Sequence, residues 1–267
     1  MNHRSAVALV VAGLVVAGLL TGCGDTSDPA SSSGPGEPTT ATSSTATSPT
    51  STPSPAGSSA TASATESEAE VGGDLSPRQG IDASHHQGPI DWAKVADHGI
   101  SFAYLKATEG TGFVDPRFAA HRRSAGKYGI AVAGYHYFQL CTDGAAQAAH
   151  FIDVLGDGGA EALAPAVDLE LVGSCTNPPA RATLLAEVRE FLAAVDKEYD
   201  TRTVVYLYPD FEKRFGFAAD LADHPQWVRR IGDRAPRRPW DIWQYDDHGS
   251  VPGVSGPADL NLMQPSA

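Results

Sequence analysis

Ala164-Pro165-Ala166-Val167-Asp168-Leu169-Glu170-Leu171 sets two carboxylates in an otherwise apolar run. Read as a strand over 163–171, the run puts residues two apart on one face. Asp168 and Glu170 therefore point together into whatever the sheet encloses. Two carboxylates held close and partly out of water cannot both ionise freely, so one keeps its proton and can act as a general acid. Glycosidic bond cleavage needs such a pair: a proton for the leaving oxygen and a negative group beside an oxocarbenium-like centre. Taken alone, the two could equally be strand-end carboxylates bonded to backbone amides or nearby cations.

On either side of this strand, short apolar runs alternate with segments of helical period. Strands are expected at 80–84, 101–106, 130–138, 203–208 and 241–245, and helices at 92–98, 115–129, 145–155 and 180–199. The second helix is expected to start at Asp115 with Pro116 in its first position and to stop near Gly129. In the last, Leu184, Val188, Phe191 and Val195 recur at three-and-four spacing and make one buried stripe. Strand alternating with helix predicts an α/β fold with a parallel sheet, and strands this short and numerous suit a closed or nearly closed barrel. Ligand chemistry then gathers at the C-terminal ends of the strands.

Two further acids fit that placement. Asp82 ends the first strand in Ile81-Asp82-Ala83-Ser84-His85-His86-Gln87, and Asp259 lies in Ala258-Asp259-Leu260-Asn261. Each is weak evidence alone; together they would surround Asp168 and Glu170 with carboxylates from distant parts of the chain. In the strand at 130–138, Tyr135 and Tyr137 share one face and His136 and Phe138 the other, which makes His136 an interior histidine. Gln87, Lys106, Trp227 and Gln244 are candidate groove residues, since pyranose rings stack on aromatic faces and offer hydroxyls to amides. His85 and His86 lack a third ligand at metal-binding spacing, so no metal is expected. Arg229, Arg230, Arg234, Arg237 and Arg238 read as a solvated loop face.

The chain opens with a short segment carrying Arg4, followed by an apolar and glycine run over 6–20 and then Leu20-Thr21-Gly22-Cys23. Its 15 residues are short of the roughly 20 that a spanning helix needs, so residues 1–22 read as an export signal. The four residues ending at Cys23 resemble the bacterial lipobox, which implies a lipidated Cys23 as the mature N-terminus, held at the outer face of the cytoplasmic membrane. From 24 to 79 the sequence is almost wholly Ser, Thr, Ala, Pro and Gly, and it cannot bury enough apolar surface to fold. As a flexible linker it would span on the order of 40 Å. The expected folded domain, 80–267, has the length of one well-cored domain.

That domain holds 17 Lys and Arg against 25 Asp and Glu, a formal charge of −8, so nucleic acid is an unsuitable partner. With Cys23 assigned to lipid, Cys141 and Cys175 remain as an even pair in an exported protein, and a disulfide is expected between them.

The domain resembles family 25 glycoside hydrolases, the Chalaropsis-type lysozymes, over nearly all of residues 80–263. The resemblance is carried by Asp82-Ala83-Ser84 with Gln87 and Ile90-Asp91-Trp92, by Phe102 with Lys106-Ala107-Thr108-Glu109-Gly110, and by Asp115 and Phe118. It continues through Gly134-Tyr135-His136-Tyr137-Phe138, Gln147-Ala148, Asp168-Leu169-Glu170, Ile242-Trp243-Gln244-Tyr245 and Asp259-Leu260-Asn261. It implies an irregular, flattened (β/α) barrel that hydrolyses the β-1,4 bond from N-acetylmuramic acid to N-acetylglucosamine in peptidoglycan, as a monomer and without metal or cofactor. It also implies Glu170 as general acid, Asp82, Asp168 and Asp259 as the other active-site acids, and Tyr135 as a sugar contact. A rival reading keeps the groove but not the chemistry: a wall-glycan-binding lipoprotein.

Overall fold

The computed structural model describes residues 76–158 and 163–265; the expected export signal, Cys23 and most of the expected linker lie outside them. Among the described residues nine strands form one sheet: β1 (Arg78–Ala83), β2 (Phe102–Glu109), β3 (Phe113–Val114), β4 (Ala131–Tyr137), β5 (Ala166–Leu169), β6 (Val204–Leu207), β7 (Gln226–Arg229), β8 (Ile242–Gly249) and β9 (Ala258–Met263). The strand order is β1-β9-β8-β7-β6-β5-β4-β2-β3, and β1 pairs with β2 as well. That extra pairing closes eight strands into a barrel and leaves β3 as a short arm on β2. Neighbours run parallel from β1 round to β8; β9 is antiparallel to both strands it joins. Five helices, α1 (Trp92–Asp97), α2 (Phe118–Lys127), α3 (Gly144–Leu155), α4 (Arg181–Tyr199) and α5 (Pro209–Phe215), are described with it. The expected α/β barrel is the fold, and it is irregular: β7 reaches β8 without a helix, and the closing strand is reversed.

Alternation along each strand divides the apolar residues into two cores. Ile81, Ala103, Leu105, Val167, Leu169, Val205 and Leu207 face outward and join the helices in the larger one, where the Leu184, Val188, Phe191 and Val195 stripe of α4 is buried. The intervening residues Phe102, Tyr104, Ala133, Ala166, Val204, Tyr206, Trp227 and Ile242 face inward and fill the barrel. His136 falls on the outward face, as expected. Its ring accepts from the Thr108 hydroxyl at Nδ1 (2.7 Å), donates from Nε2 to Gln147 Oε1 (3.1 Å) and stacks on Phe191 at 4.9 Å. Burial pushes its pKa down to about 3, so it stays neutral. Helix packing is tight at Gly144, where a Cβ would lie 1.9 Å from the Glu187 carbonyl oxygen of α4.

Several boundaries differ from expectation. β1 begins at Arg78, two residues ahead of the expected domain edge. The strand expected over 163–171 is ordered as strand only over Ala166–Leu169, which leaves Glu170 just beyond its end. α2 starts at Phe118 rather than Asp115, because the buried Asp115 carboxylate is used elsewhere: it accepts from His85 N (2.8 Å) and Arg117 N (2.9 Å) and pairs with His85 Nδ1 (2.7 Å). Strands β3, β7 and β9 and helix α5 were not expected. α5 carries its own signals, Pro209 at the first position and Gly216 at φ 63° after the last turn.

Cys141 and Cys175 form the expected disulfide, with Cα atoms 5.9 Å apart and a separation of 34 positions in sequence. It ties the segment after β4 to the segment that begins at Glu170. The same two segments are joined by Leu140 N donating to Ser174 Oγ (2.6 Å) and Gln139 Nε2 to the Gly173 carbonyl (3.2 Å). A loop of this length predicts that Cys141→Ala with Cys175→Ala lowers stability by about 3–4 kcal/mol. A melting temperature unchanged from wild type in a thermal scan would show that the hydrogen bonds alone hold the loop.

Candidate active site

The inward face of the barrel changes character toward the C-terminal strand ends. Below, Trp227 lies against Tyr104 (ring centroids 4.8 Å) and Tyr206 (5.1 Å), an aromatic floor of low polarity. Above, the same alternation places Asp82 on β1, Lys106 on β2, Tyr135 and Tyr137 on β4, Asp168 on β5, Arg229 on β7, Gln244 on β8 and Asp259 on β9 around one cleft of about 360 Å³. Asp82 and Asp259 are brought side by side because β1 and β9 pair in register at these two residues. All nine residues expected from sequence for catalysis or glycan binding, Asp82, Gln87, Lys106, Tyr135, Asp168, Glu170, Trp227, Gln244 and Asp259, line this cleft.

Their hydrogen bonds separate them by task. Trp227 is 3 % exposed and donates its indole N–H to Asn261 Oδ1 (2.8 Å), so it belongs to the floor rather than to an open stacking platform. Asn261 Nδ2 in turn donates to Asp82 Oδ2 (2.8 Å). Gln244 accepts from the Tyr206 hydroxyl (2.9 Å) and donates to the same Asp82 oxygen (3.2 Å). One Asp82 oxygen is thus held by two amides, each fixed from behind by an aromatic residue. Gln87 Oε1 accepts from Ser84 N (2.9 Å) and closes the short turn after β1. Lys106 Nζ binds Glu109 (2.6 Å) and lies 4.7 Å from the centre of the Tyr137 ring.

The acids stand in a graded field. Burial raises the Asp168 carboxyl well above its ordinary range, the charges of Glu170 and Asp82 raise it further, and Lys106 opposes them. Asp168 is 8 % exposed, and its Oδ1 is buried without a hydrogen-bond partner, an arrangement that a folded protein keeps only for a reason. Asp82 is also pushed well up, by burial and then by Asp259, against the hydrogen bonds of Asn261 and Gln244. Asp259 rises to about 6 through burial and the Asp247 carboxylate, with Arg229 opposing. Glu170, at the rim, rises to about 7, chiefly by burial, with Arg229 the largest opposing influence. A partly buried acid that keeps its proton up to about neutral pH, in a cleft with three further carboxyls, is equipped to deliver a proton to a ligand there.

Sequence reading missed Tyr206, Tyr208, Asp247 and Asn261, and it placed Arg229 on a solvated face. Arg229 instead ends β7 inside the cleft, paired with Asp247 and with its guanidinium carbon 5.1 Å from the centre of the Tyr208 ring. Arg238 is drawn in as well and donates to Gln226 Oε1 (2.7 Å), whereas Arg234 and Arg237 are exposed as expected.

Residues 81–254 match the model of the family described as glycosyl hydrolases family 25. Lysozyme M1 of Streptomyces globisporus is 33% identical over 206 residues, which cover 73% of this chain and 70% of that protein. Among solved structures, the bacterial lysozyme from Streptomyces coelicolor superposes with a TM-score of 0.64 at 33% identity, over 73% of this chain and 95% of its own. A family 25 glycosyl hydrolase from Bacillus anthracis gives 0.63 at 27% identity, over 72% and 91%.

Proposed function

Because this chain belongs to glycosyl hydrolase family 25, we propose that its barrel cleaves the β-1,4 bond between N-acetylmuramic acid and N-acetylglucosamine in peptidoglycan glycan strands, with Glu170 as the proton donor. The chain is a peptidoglycan hydrolase of lysozyme type. The observation that carries the assignment of Glu170 is its raised carboxyl at the rim, beside the buried Asp168. Glu170 protonates the leaving glycosidic oxygen. The positive charge that develops on the sugar carbon favours the carboxylate form of Asp168, which burial opposes, and Asp82 and Asp259 complete the acidic wall against which the ring is set. Tyr135, Gln87 and Lys106 face the sugar, while Trp227 and Gln244 hold the floor. A glycan-binding protein without chemistry gains nothing from a carboxyl kept protonated to neutral pH, which favours the enzyme.

Digestion of purified peptidoglycan tests this reading. Muropeptides ending in reducing N-acetylmuramic acid are expected by mass spectrometry. Wall binding without any release would instead establish the silent binder, and preferential cleavage of chitin would move the substrate to another amino-sugar polymer.

The export signal, the lipidated Cys23 and the linker through 79 complete the proposal: a monomeric enzyme tethered to the outer face of the membrane that remodels the wall of the cell producing it. Radiolabelled palmitate is expected to enter the wild-type protein and not Cys23→Ser, with the variant recovered in the medium. Equal retention of both on the membrane would sink the anchor.

A further inference from the structure

The cleft carries two cationic side chains on different walls, and they are engaged differently. Lys106 is turned to Glu109 and lies over Tyr137. Arg229 stands across the cleft at the end of β7, 19 % exposed, its guanidinium paired with Asp247 and seated over the Tyr208 ring. Asp247 is itself hydrogen-bonded to His248 Nδ1 (2.7 Å), and β7 is fixed beside β8 with Arg229 opposite Gln244. A guanidinium gripped from two sides cannot follow a ligand or retreat to solvent, so its charge has a fixed address.

We propose that Arg229, clamped between Asp247 and Tyr208 in the cleft that Glu170 and Asp259 also line, is a positioning residue for the hydrolysis: a stationary cation that helps Glu170 give up its proton to the substrate. The inference rests on the assignment of Glu170 as the acid. The groups that face Glu170 are Asp168 from β5, Asp82 from β1, Asp259 from β9, Tyr137 from β4, Tyr206 from β6 and Lys106 from β2. The ionised acids among them hold the proton on Glu170, Asp259 foremost, while a hydrogen bond from Asp168 works the other way. Of the two cations that oppose them, Arg229 acts more strongly on Glu170 than Lys106 does. Removing its charge therefore lets Glu170 hold its proton to higher pH and makes it a weaker donor.

The test is the pH profile of kcat/KM for peptidoglycan hydrolysis by the full-length protein. Arg229→Met is expected to move the alkaline limb upward by about half to one pH unit, with Arg229→Lys leaving it near wild type. If Arg229→Met does not fold, Asp247→Asn supplies the reverse shift, because it keeps the cation over Tyr208 and removes the anion that offsets it; its limb is expected to fall. An unmoved limb in Arg229→Met, equal displacement in the Met and Lys variants, or an unchanged or raised limb in Asp247→Asn overturns the proposal. Glu170→Gln separates the two levels. Activity retained there removes the acid assignment itself, whereas an inactive Glu170→Gln together with an unmoved limb in Arg229→Met removes only the role of Arg229.

Discussion

Glu170→Gln is expected to lower kcat/KM on peptidoglycan by about 10²–10⁴-fold while leaving the fold and wall binding intact, the range that follows when a positioned general acid is lost. Glutamine keeps the shape and cannot give up a proton. The same substitution has a thermodynamic signature of opposite sign. The folded Glu170 carboxyl titrates at about 7, above its ordinary value of 4.5 in a free chain. Its contribution to stability is therefore fully present below about pH 4.5 and is lost as pH rises through 7. Glu170→Gln should match wild type near pH 4 and exceed it at pH 8 by about 1–3 kcal/mol, a gain of several degrees in melting temperature. Melting curves of the two proteins that stay parallel from pH 4 to 8 would remove the raised acid, and with it the reason for choosing Glu170.

Asp168→Asn is expected to lose activity by about 10²-fold or more and to gain stability at neutral pH. The carboxylate is buried beside Glu170, its Oδ1 has no partner, and Lys106 offsets only part of the surrounding negative charge. Neutral asparagine removes that repulsion and can donate to Glu170, so a rise of about 1–3 kcal/mol in chemical denaturation at pH 7.5 is expected. A variant that is inactive and also less stable would identify Asp168 as a structural partner rather than a group held in place for chemistry.

Three of the acids were legible because one rule covers them: a carboxylate at the end of an apolar strand, on the face that alternation turns inward. Asp82 and Asp168 follow it, and Glu170 follows it although the regular strand stops one residue earlier, whereas Asp259, on a strand that was not expected, rested on the family resemblance. Tyr206 obeyed the same alternation as Val204 and could have been read from it. What escaped lies in short or antiparallel pieces. β7 is four residues long and its last, Arg229, was hidden within a run of arginines that looks solvated. β9 alternates too weakly to announce a strand, so Asn261, buried between Trp227 and Asp82, carried no local sign of its task. Asp115 misled in the other direction: Asp-Pro is a good helix entry, but the carboxylate was claimed by His85 from another part of the chain.

The reversed last strand also sets a schedule. Asp82 and Tyr135 leave the ribosome early, yet Asn261, which grips Asp82, lies 179 residues downstream, and Asp259 arrives with it. Until β9 slots between β1 and β8, the barrel has an open seam and the acidic wall lacks a side. Asp82 and Asp259 stand side by side only once the two ends of the domain have met, so the acidic wall is a product of the finished barrel and of no shorter stretch of the chain.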